Sequence, residues 1–211
     1  MGLIGLASDI DGVIDNQGSV LLPYIKKEQK ILIAQGIPIE YLVNSVEDIV
    51  RYDLEVYGLS QERIEKIFRN FEFTGEFLNM KSVSGAVENI KRLSQKGYTL
   101  DLITARTHYG VVREHTIRSL EKRGIRKGIE YQEIFCNPNK YPILKDRKRK
   151  LMFEDKPKTI IDLSRKGIYC VCIPQPWNKE IGAFAKGNSY VERIPWSEAV
   201  DWVDEVNKKF N

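Results

Sequence analysis

The chain has 211 residues, 42% hydrophobic and 29% charged, with 33 basic against 29 acidic side chains and a formal net charge of +4. That length holds one full core, or a core plus a small accessory domain, and the composition excludes a disordered or fibrous chain. The small positive excess suits an anionic ligand but does not mark a nucleic-acid-binding protein, and no apolar stretch approaches the roughly 20 residues of a membrane span.

The first apolar run, Leu3-Ile-Gly-Leu-Ala-Ser-Asp9, has strand length and ends in acidic and turn residues. Residues 16–79 then contain no convincing strand but do contain helical periodicity, over Tyr24–Gln35, Ser45–Tyr57 and Gln61–Phe71. Ser45-Val-Glu-Asp and Ser60-Gln-Glu-Arg read as helix starts. Further on, a helix over Val87–Gly97 precedes the run Tyr98–Thr104. A helix over Tyr109–Arg123 stops at Gly124, and a weak strand surrounds Ile134–Cys136. Lys150–Asp155 is the next strand, Pro157–Lys166 the next helix, and Gly167–Ile173 the last apolar run. This alternation predicts an α/β fold: a parallel sheet flanked by helices, with a small helical insert after the first strand. The division expected is a core of residues 1–15 and 80–211 and a helical cap of residues 16–79.

Cys136, Cys170 and Cys172 are odd in number, and residues 170 and 172 of a strand share a face. Small buried hydrophobes in a reducing compartment are expected, rather than a disulfide or a metal site. The amino terminus lacks a basic segment before its apolar run, so a cytoplasmic protein without a signal peptide is expected.

In open α/β sheets ligands bind beyond the carboxyl ends of the strands. Three of the strands end in Asp9, in Thr104 and in Glu154-Asp155, so these residues converge if the strands are neighbours. Asp9-Ile-Asp11-Gly12 presents two carboxylates and a residue that permits a tight bend. It fails the calcium-loop pattern, because Val13 and Val20 stand where further ligands belong. Such carboxylates bind Mg²⁺ or attack phosphorus; as turn residues they would merely be solvated. Thr104 offers a hydroxyl, and Ala105 and Arg106 the following N–H groups, to a phosphoryl oxygen. The Arg106 side chain either clamps an anion or simply faces solvent, and a helix-capping role is the bland alternative for Thr104. Glu154 and Asp155 either cap the helix begun by Pro157 or complete a metal site with Asp9. A lysine should neutralise the transferring group, with Lys145 the first choice and Lys148, Lys150 and Lys140 behind it.

These elements together resemble the haloacid dehalogenase superfamily of phosphohydrolases, almost end to end. The resemblance implies a Rossmann-like core. It also implies Asp9 as nucleophile, Asp11 as general acid/base, Thr104 and Lys145 as phosphoryl-binding residues, and a Mg²⁺ site built on Asp9, Asp11, Glu154 and Asp155. That acidic pair ordinarily reads Asp-Asp, so Glu154 departs from the pattern and leaves open which of the two meets the metal. The segment Ser84–Leu93 also resembles the family's helix before its second motif. The helical insert corresponds to the family's first type of cap, a lid that excludes water and selects the substrate.

Thr104-Ala-Arg106 and Pro176-Trp-Asn178 resemble the cytosolic 5′(3′)-deoxyribonucleotidase group. A nucleoside monophosphate is therefore the expected substrate, with Tyr24, Tyr41, Tyr52, Tyr57, Phe71 and Phe73 of the cap available to stack a base. Competing readings are a sugar-phosphate phosphatase, a phosphatase of nucleic-acid ends gripped by residues 123–127 and 145–150, and a non-catalytic binding protein on the same scaffold. A charge run such as 145–150 is usually just a solvated loop.

Overall fold

Six strands form one sheet in the order β3-β2-β1-β4-β5-β6, every neighbouring pair parallel. They are β1 (Gly5–Ser8), β2 (Leu100–Thr104), β3 (Ile134–Cys136), β4 (Arg149–Glu154), β5 (Tyr169–Cys172) and β6 (Val191–Arg193). The computed structural model describes residues 2–51, 53–107 and 110–210. β6 is an edge strand too short and too polar to stand out in the sequence.

Alternate strand residues fill two cores. Leu6, Leu102, Leu151, Phe153 and Val171 pack on α3 (Ala86–Gln95) and α8 (Trp196–Lys208). Ala7, Ile103, Met152, Cys170 and Cys172 face α5 (Tyr141–Asp146) and α6 (Pro157–Ser164) through Leu144, Ile160 and Leu163. Both cysteines of the pair are buried free thiols in this second core. α4 (Gly110–Lys122) links β2 to β3, and α7 (Ile181–Lys186) lies between β5 and β6. The expected start of α4 at Tyr109 falls outside the described residues.

Among the described residues between β1 and α3 the chain builds α1 (Gln17–Ala34), α2 (Gln61–Phe73) and three short 3-10 turns, with no strand of the sheet. The first helix begins earlier than expected. It runs through Pro23, and Asn16 caps it by accepting the Ser19 N–H. The helix expected over Ser45–Tyr57 is replaced by two 3-10 turns, Val46–Asp48 and Leu54–Tyr57. Asp48 takes the N–H groups of Asn44 and Ser45, and Asp53 takes that of Glu55. Such side-chain acceptors hold the backbone in turns at the expense of a continuous helix.

The insert has its own apolar cluster, including Leu21, Ile25, Val43, Ile49, Tyr57 and Ile67, which Trp177 of the core joins. Its two connections to the core run side by side. Asn16 N–H donates to Lys81 O (2.9 Å), Val83 N–H to Ile14 O (2.8 Å), and Asp15 bridges Ser82.

Candidate active site

The chain leaves β1 one way to β2 and β3, and from β4 the other way to β5 and β6. The resulting switch point lies between β1 and β4, and there the carboxyl ends of β1, β2 and β4 bring Asp9, Thr104 and Glu154 together.

Asp9 is buried. Its Oδ1 accepts the N–H of Ile10 (2.7 Å), and its own N–H donates to Phe153 O of β4 (2.9 Å). Its Oδ2 lies 2.5 Å from Lys140 Nζ, which also donates to Glu154 Oε2 at 2.7 Å. Lys140, fully packed away from solvent, is therefore the lysine of the site; Lys145 is not. Cys136 ends β3 and Lys140 stands just ahead of α5, so it remains at the carboxyl end of the sheet. α5 then runs away, carrying Lys145 about 7.5 Å further along at 1.5 Å per residue. Lys145, Lys148 and Lys150 are exposed. Lys140 follows the end of β3 by four residues, and that placement at the carboxyl end of a strand identifies it better than its spacing from Glu154.

Glu154 has both carboxylate oxygens engaged: Oε1 accepts the N–H groups of Asp155 and Lys156 (3.0 Å each), and Oε2 accepts Lys140. Asp155 Oδ2 accepts the Trp177 indole N–H (2.9 Å). Asn178 donates to Asp155 O and Ile173 O, and Gln175 to Gly12 O (2.6 Å). The Pro176–Asn178 turn thus braces both acidic loops, a role its sequence did not announce. Gly12 is required twice over. Its φ is +74°, and a Cβ there would meet Asp155 Oδ2 at 2.2 Å.

Burial pushes the Asp9 carboxyl up to about 7; Lys140 opposes the shift, while Glu154 and Asp11 add to it. Burial also raises Asp155 well above the ordinary range, with Glu154 and Asp9 reinforcing it. For Glu154 burial acts the same way, but Lys140 outweighs it and the group ionises more readily than usual. Asp9, Glu154 and Asp155 each offer an oxygen, all within 4.8 Å of one another. One ammonium cannot neutralise all three acids when they are ionised, which is why burial holds two of them back from ionising, and hard oxygen donors of this kind fit a divalent cation.

Thr104 is buried; its hydroxyl lies 3.4 Å from Asp11 Oδ2 and accepts the Arg106 N–H. Ala105 is exposed on the same loop. Arg106 does not face solvent as an open anion clamp. Its guanidinium is buried against Asp11 and Asp15. The next residue, Thr107, donates its N–H and hydroxyl to Glu72 at the end of α2 (3.3 and 2.8 Å), tying the insert to this loop.

A cleft runs between α2 and the core on both sides of Phe68. One side, about 760 Å³, is lined by Arg69, Glu72, Phe73 and Thr107. The other, about 540 Å³, is lined by Leu54, Lys156, Pro157 and Trp177. Of the aromatic residues expected to stack a base, Tyr57 and Phe71 are core residues, Tyr24 is bonded to Glu76, and Tyr41 is exposed. Only Phe73 of that group borders the cleft among the described residues, and Tyr52 lies outside them. Phe68, which does border it, escaped the sequence reading, and Trp177, singled out only within Pro176-Trp-Asn178, borders it too.

The basic runs expected to grip a nucleic acid lie elsewhere. Lys145 to Lys148 precede β4, and Arg126-Lys127 precede β3, at the amino ends of the strands. There Arg147 and Arg149 pair with buried Asp101 (3.0 and 2.7 Å), and Lys127 pairs with Glu133. Arg123 turns inward to Asp15.

Residues 22–205 match the family model of "5′ nucleotidase, deoxy (Pyrimidine), cytosolic type C protein". The chain belongs to this family. It is a phosphatase of the haloacid dehalogenase superfamily, on the nucleotidase side of that group. The match begins after Asp9 and Asp11, whose place in the site rests on the geometry above. No curated protein sequence matches significantly. Among solved structures, a haloacid dehalogenase-like hydrolase from Streptococcus pneumoniae superposes with a TM-score of 0.63 at 13% identity, covering 99% of both chains. A family hydrolase from Deinococcus radiodurans with bound phosphate and sodium gives 0.60 at 13%, covering 96% of each. A β-phosphoglucomutase from Clostridium difficile gives 0.58 at 13%, covering 99% of each. At such identities the likeness establishes the fold. Among the described residues, no helix is long and apolar enough to cross a membrane.

Proposed function

We propose that this enzyme is a Mg²⁺-dependent phosphomonoester hydrolase that works through an aspartyl phosphate on Asp9, with a nucleoside monophosphate as substrate. The observation that carries the reading is the Asp9 carboxylate, seated at the switch point, touching Lys140 and sharing an oxygen cluster with Glu154 and Asp155.

Asp9, the Asp11 backbone carbonyl and Asp155 would hold the cation. Glu154 serves as its buttress, since protein donors already occupy both of its carboxylate oxygens. When bound, Mg²⁺ supplies positive charge to the non-bridging phosphoryl oxygens and keeps Asp9 ionised. An Asp9 oxygen attacks phosphorus as the ester P–O bond breaks, and Asp11 delivers a proton to the departing alkoxide. Lys140, the Thr104 hydroxyl and the Ala105 N–H bind the phosphoryl oxygens. Water then attacks phosphorus and gives its proton to Asp11. The Asp9–phosphorus bond breaks, releasing inorganic phosphate and restoring the carboxylate.

The helical insert is the lid, with Glu72 and Thr107 as its latch, and it excludes water from the reaction. Membership of the nucleotidase family favours a nucleotide over a sugar phosphate. The placement of the basic runs at the amino ends of the strands counts against nucleic-acid ends. A panel of nucleotides, sugar phosphates and end-phosphorylated oligonucleotides, assayed with Mg²⁺ and with a chelator, tests the reading. Asp9→Asn should abolish turnover while leaving the fold intact. Near wild-type activity in that variant, or no hydrolysis across the panel, would overturn it.

A further inference from the structure

The arginine beside Thr104 is spent inside the protein. Its side chain is 3% exposed. Nε donates to Asp11 Oδ2 (2.9 Å) and Nη2 to Asp11 Oδ1 (2.7 Å), a two-pronged grip on one carboxylate. Nη2 also reaches Asp15 Oδ2 (2.8 Å), and Nη1 donates to Thr116 Oγ1 (3.1 Å). Asp15 is fully buried, and its Oδ1 lies 2.7 Å from Arg123 Nη1. Arg123 in turn donates to Ser119 Oγ and to Met80 O, at the end of the insert. Two acids and two arginines thus alternate in a charge-balanced chain from Asp11 to the connection between insert and core.

We propose that Arg106 is a positioning residue for Asp11, fixing the plane of its carboxylate for proton transfer to a poor leaving group; this rests on the acid/base reading of Asp11 given above. A guanidinium fork matches both carboxylate oxygens at once, which a lysine ammonium does not. Each oxygen keeps a second lone pair, and the Asp11 side chain remains 12% exposed, so the grip leaves the group able to exchange a proton. Without the fork, the Asp11 carboxylate is left with the long contact to the Thr104 hydroxyl (3.4 Å) to set its plane. Misplacement of a catalytic group by about 1 Å can cost roughly 100-fold. Asp15 and Arg123 hold Arg106 from behind, so the fork cannot swing out to the substrate phosphate.

The test compares kcat/KM for two leaving groups: the best alkyl phosphate of the panel, and p-nitrophenyl phosphate, whose phenolate departs without a proton. It uses wild type, Asp11→Asn, Arg106→Lys and the double variant Arg106→Gln/Asp15→Asn, which removes both buried charges together. The Arg106 variants should lose roughly 10- to 100-fold on the alkyl ester and less than about threefold on the nitrophenyl ester. Asp11→Asn should show the same split, more deeply. Equal losses on both esters, with a raised KM, would mean that Arg106 serves the phosphoryl group or the fold alone. Failure of both Arg106 variants to fold would make it structural. Either result overturns the proposal. If Asp11→Asn itself shows no split, the acid/base reading fails; if only the Arg106 variants show none, this inference fails alone.

Discussion

Lys140 Nζ lies between two carboxylates, 2.5 Å from Asp9 Oδ2 and 2.7 Å from Glu154 Oε2. Both acids lie at the switch point with little access to water, so no other lysine of this region substitutes for it. Lys140→Met should lower kcat/KM by about 100-fold or more, the usual effect of losing one charge-stabilising donor. Lys145→Ala, an exposed change, should stay within about twofold. Steady-state kinetics on purified variants checks both, and the reverse pattern would restore Lys145 to the site.

Trp177 donates its indole N–H to Asp155 and contributes its ring to the apolar cluster of the insert. Trp177→Phe keeps most of the packing and removes the donor. Losing a hydrogen bond that orients a metal-binding carboxylate typically costs roughly 10- to 100-fold in metal affinity. The Mg²⁺ concentration for half-maximal activity should therefore rise about tenfold. An unchanged Mg²⁺ requirement would show that Asp155 is not a ligand, or does not need the indole to act as one.

Glu72 receives both the N–H and the hydroxyl of Thr107 across the cleft. Glu72→Ala removes this latch without touching the sheet. Losing bonds to a charged acceptor corresponds to about 1 kcal/mol or more of closure energy, so KM should increase several-fold while kcat changes less. A loss confined to kcat, with KM unaltered, would argue against a latch that closes on substrate.

Asp101 lies far from this chemistry, clamped by Arg147 and Arg149. Burial opposes its ionisation, and the two arginines outweigh burial, so its carboxyl titrates below the ordinary value. The ionised pair contributes stability at every pH above the unfolded value of about 3.9. That contribution disappears as pH falls through the lower folded value. Asp101→Asn should cost about 2 kcal/mol or more near neutrality, somewhat less than for a wholly buried pair because Arg147 still reaches water. It should cost little at pH 2. Urea unfolding midpoints of both proteins across pH 2–7 measure the difference, and parallel curves would count against the clamp.

Asp9, Thr104 and Glu154-Asp155 were legible in the sequence because each ends an apolar run, and a parallel sheet brings such ends to one edge. Lys140 was harder to identify. It follows the weakest of the predicted strands, and lysines 145, 148 and 150 compete for it in sequence while the direction of α5 separates them in space. The region 45–57 carried helical periodicity, but Asp53 captures the Glu55 N–H that a continuous helix would direct to the carbonyl four residues earlier. The partnership of Arg106 with Asp11 and Asp15 joins residues more than 90 positions apart, and no local pattern records it. Phe68 and Trp177 wall the cleft from opposite sides of the insert boundary; the segment around Trp177 was legible as a resemblance, but nothing local tied either ring to the cleft.

The two connections between insert and core, joined by two backbone hydrogen bonds, Asn16 to Lys81 and Val83 to Ile14, pin the base of the insert whatever its length. To the sheet, everything from residue 17 to residue 80 is one loop whose ends are already closed. The entropy of closing a loop grows only with the logarithm of its length, about 0.6 kcal/mol for each doubling. Lengthening or shortening the segment above this fulcrum would therefore alter which molecules are admitted at almost no cost to the stability of the catalytic floor beneath it.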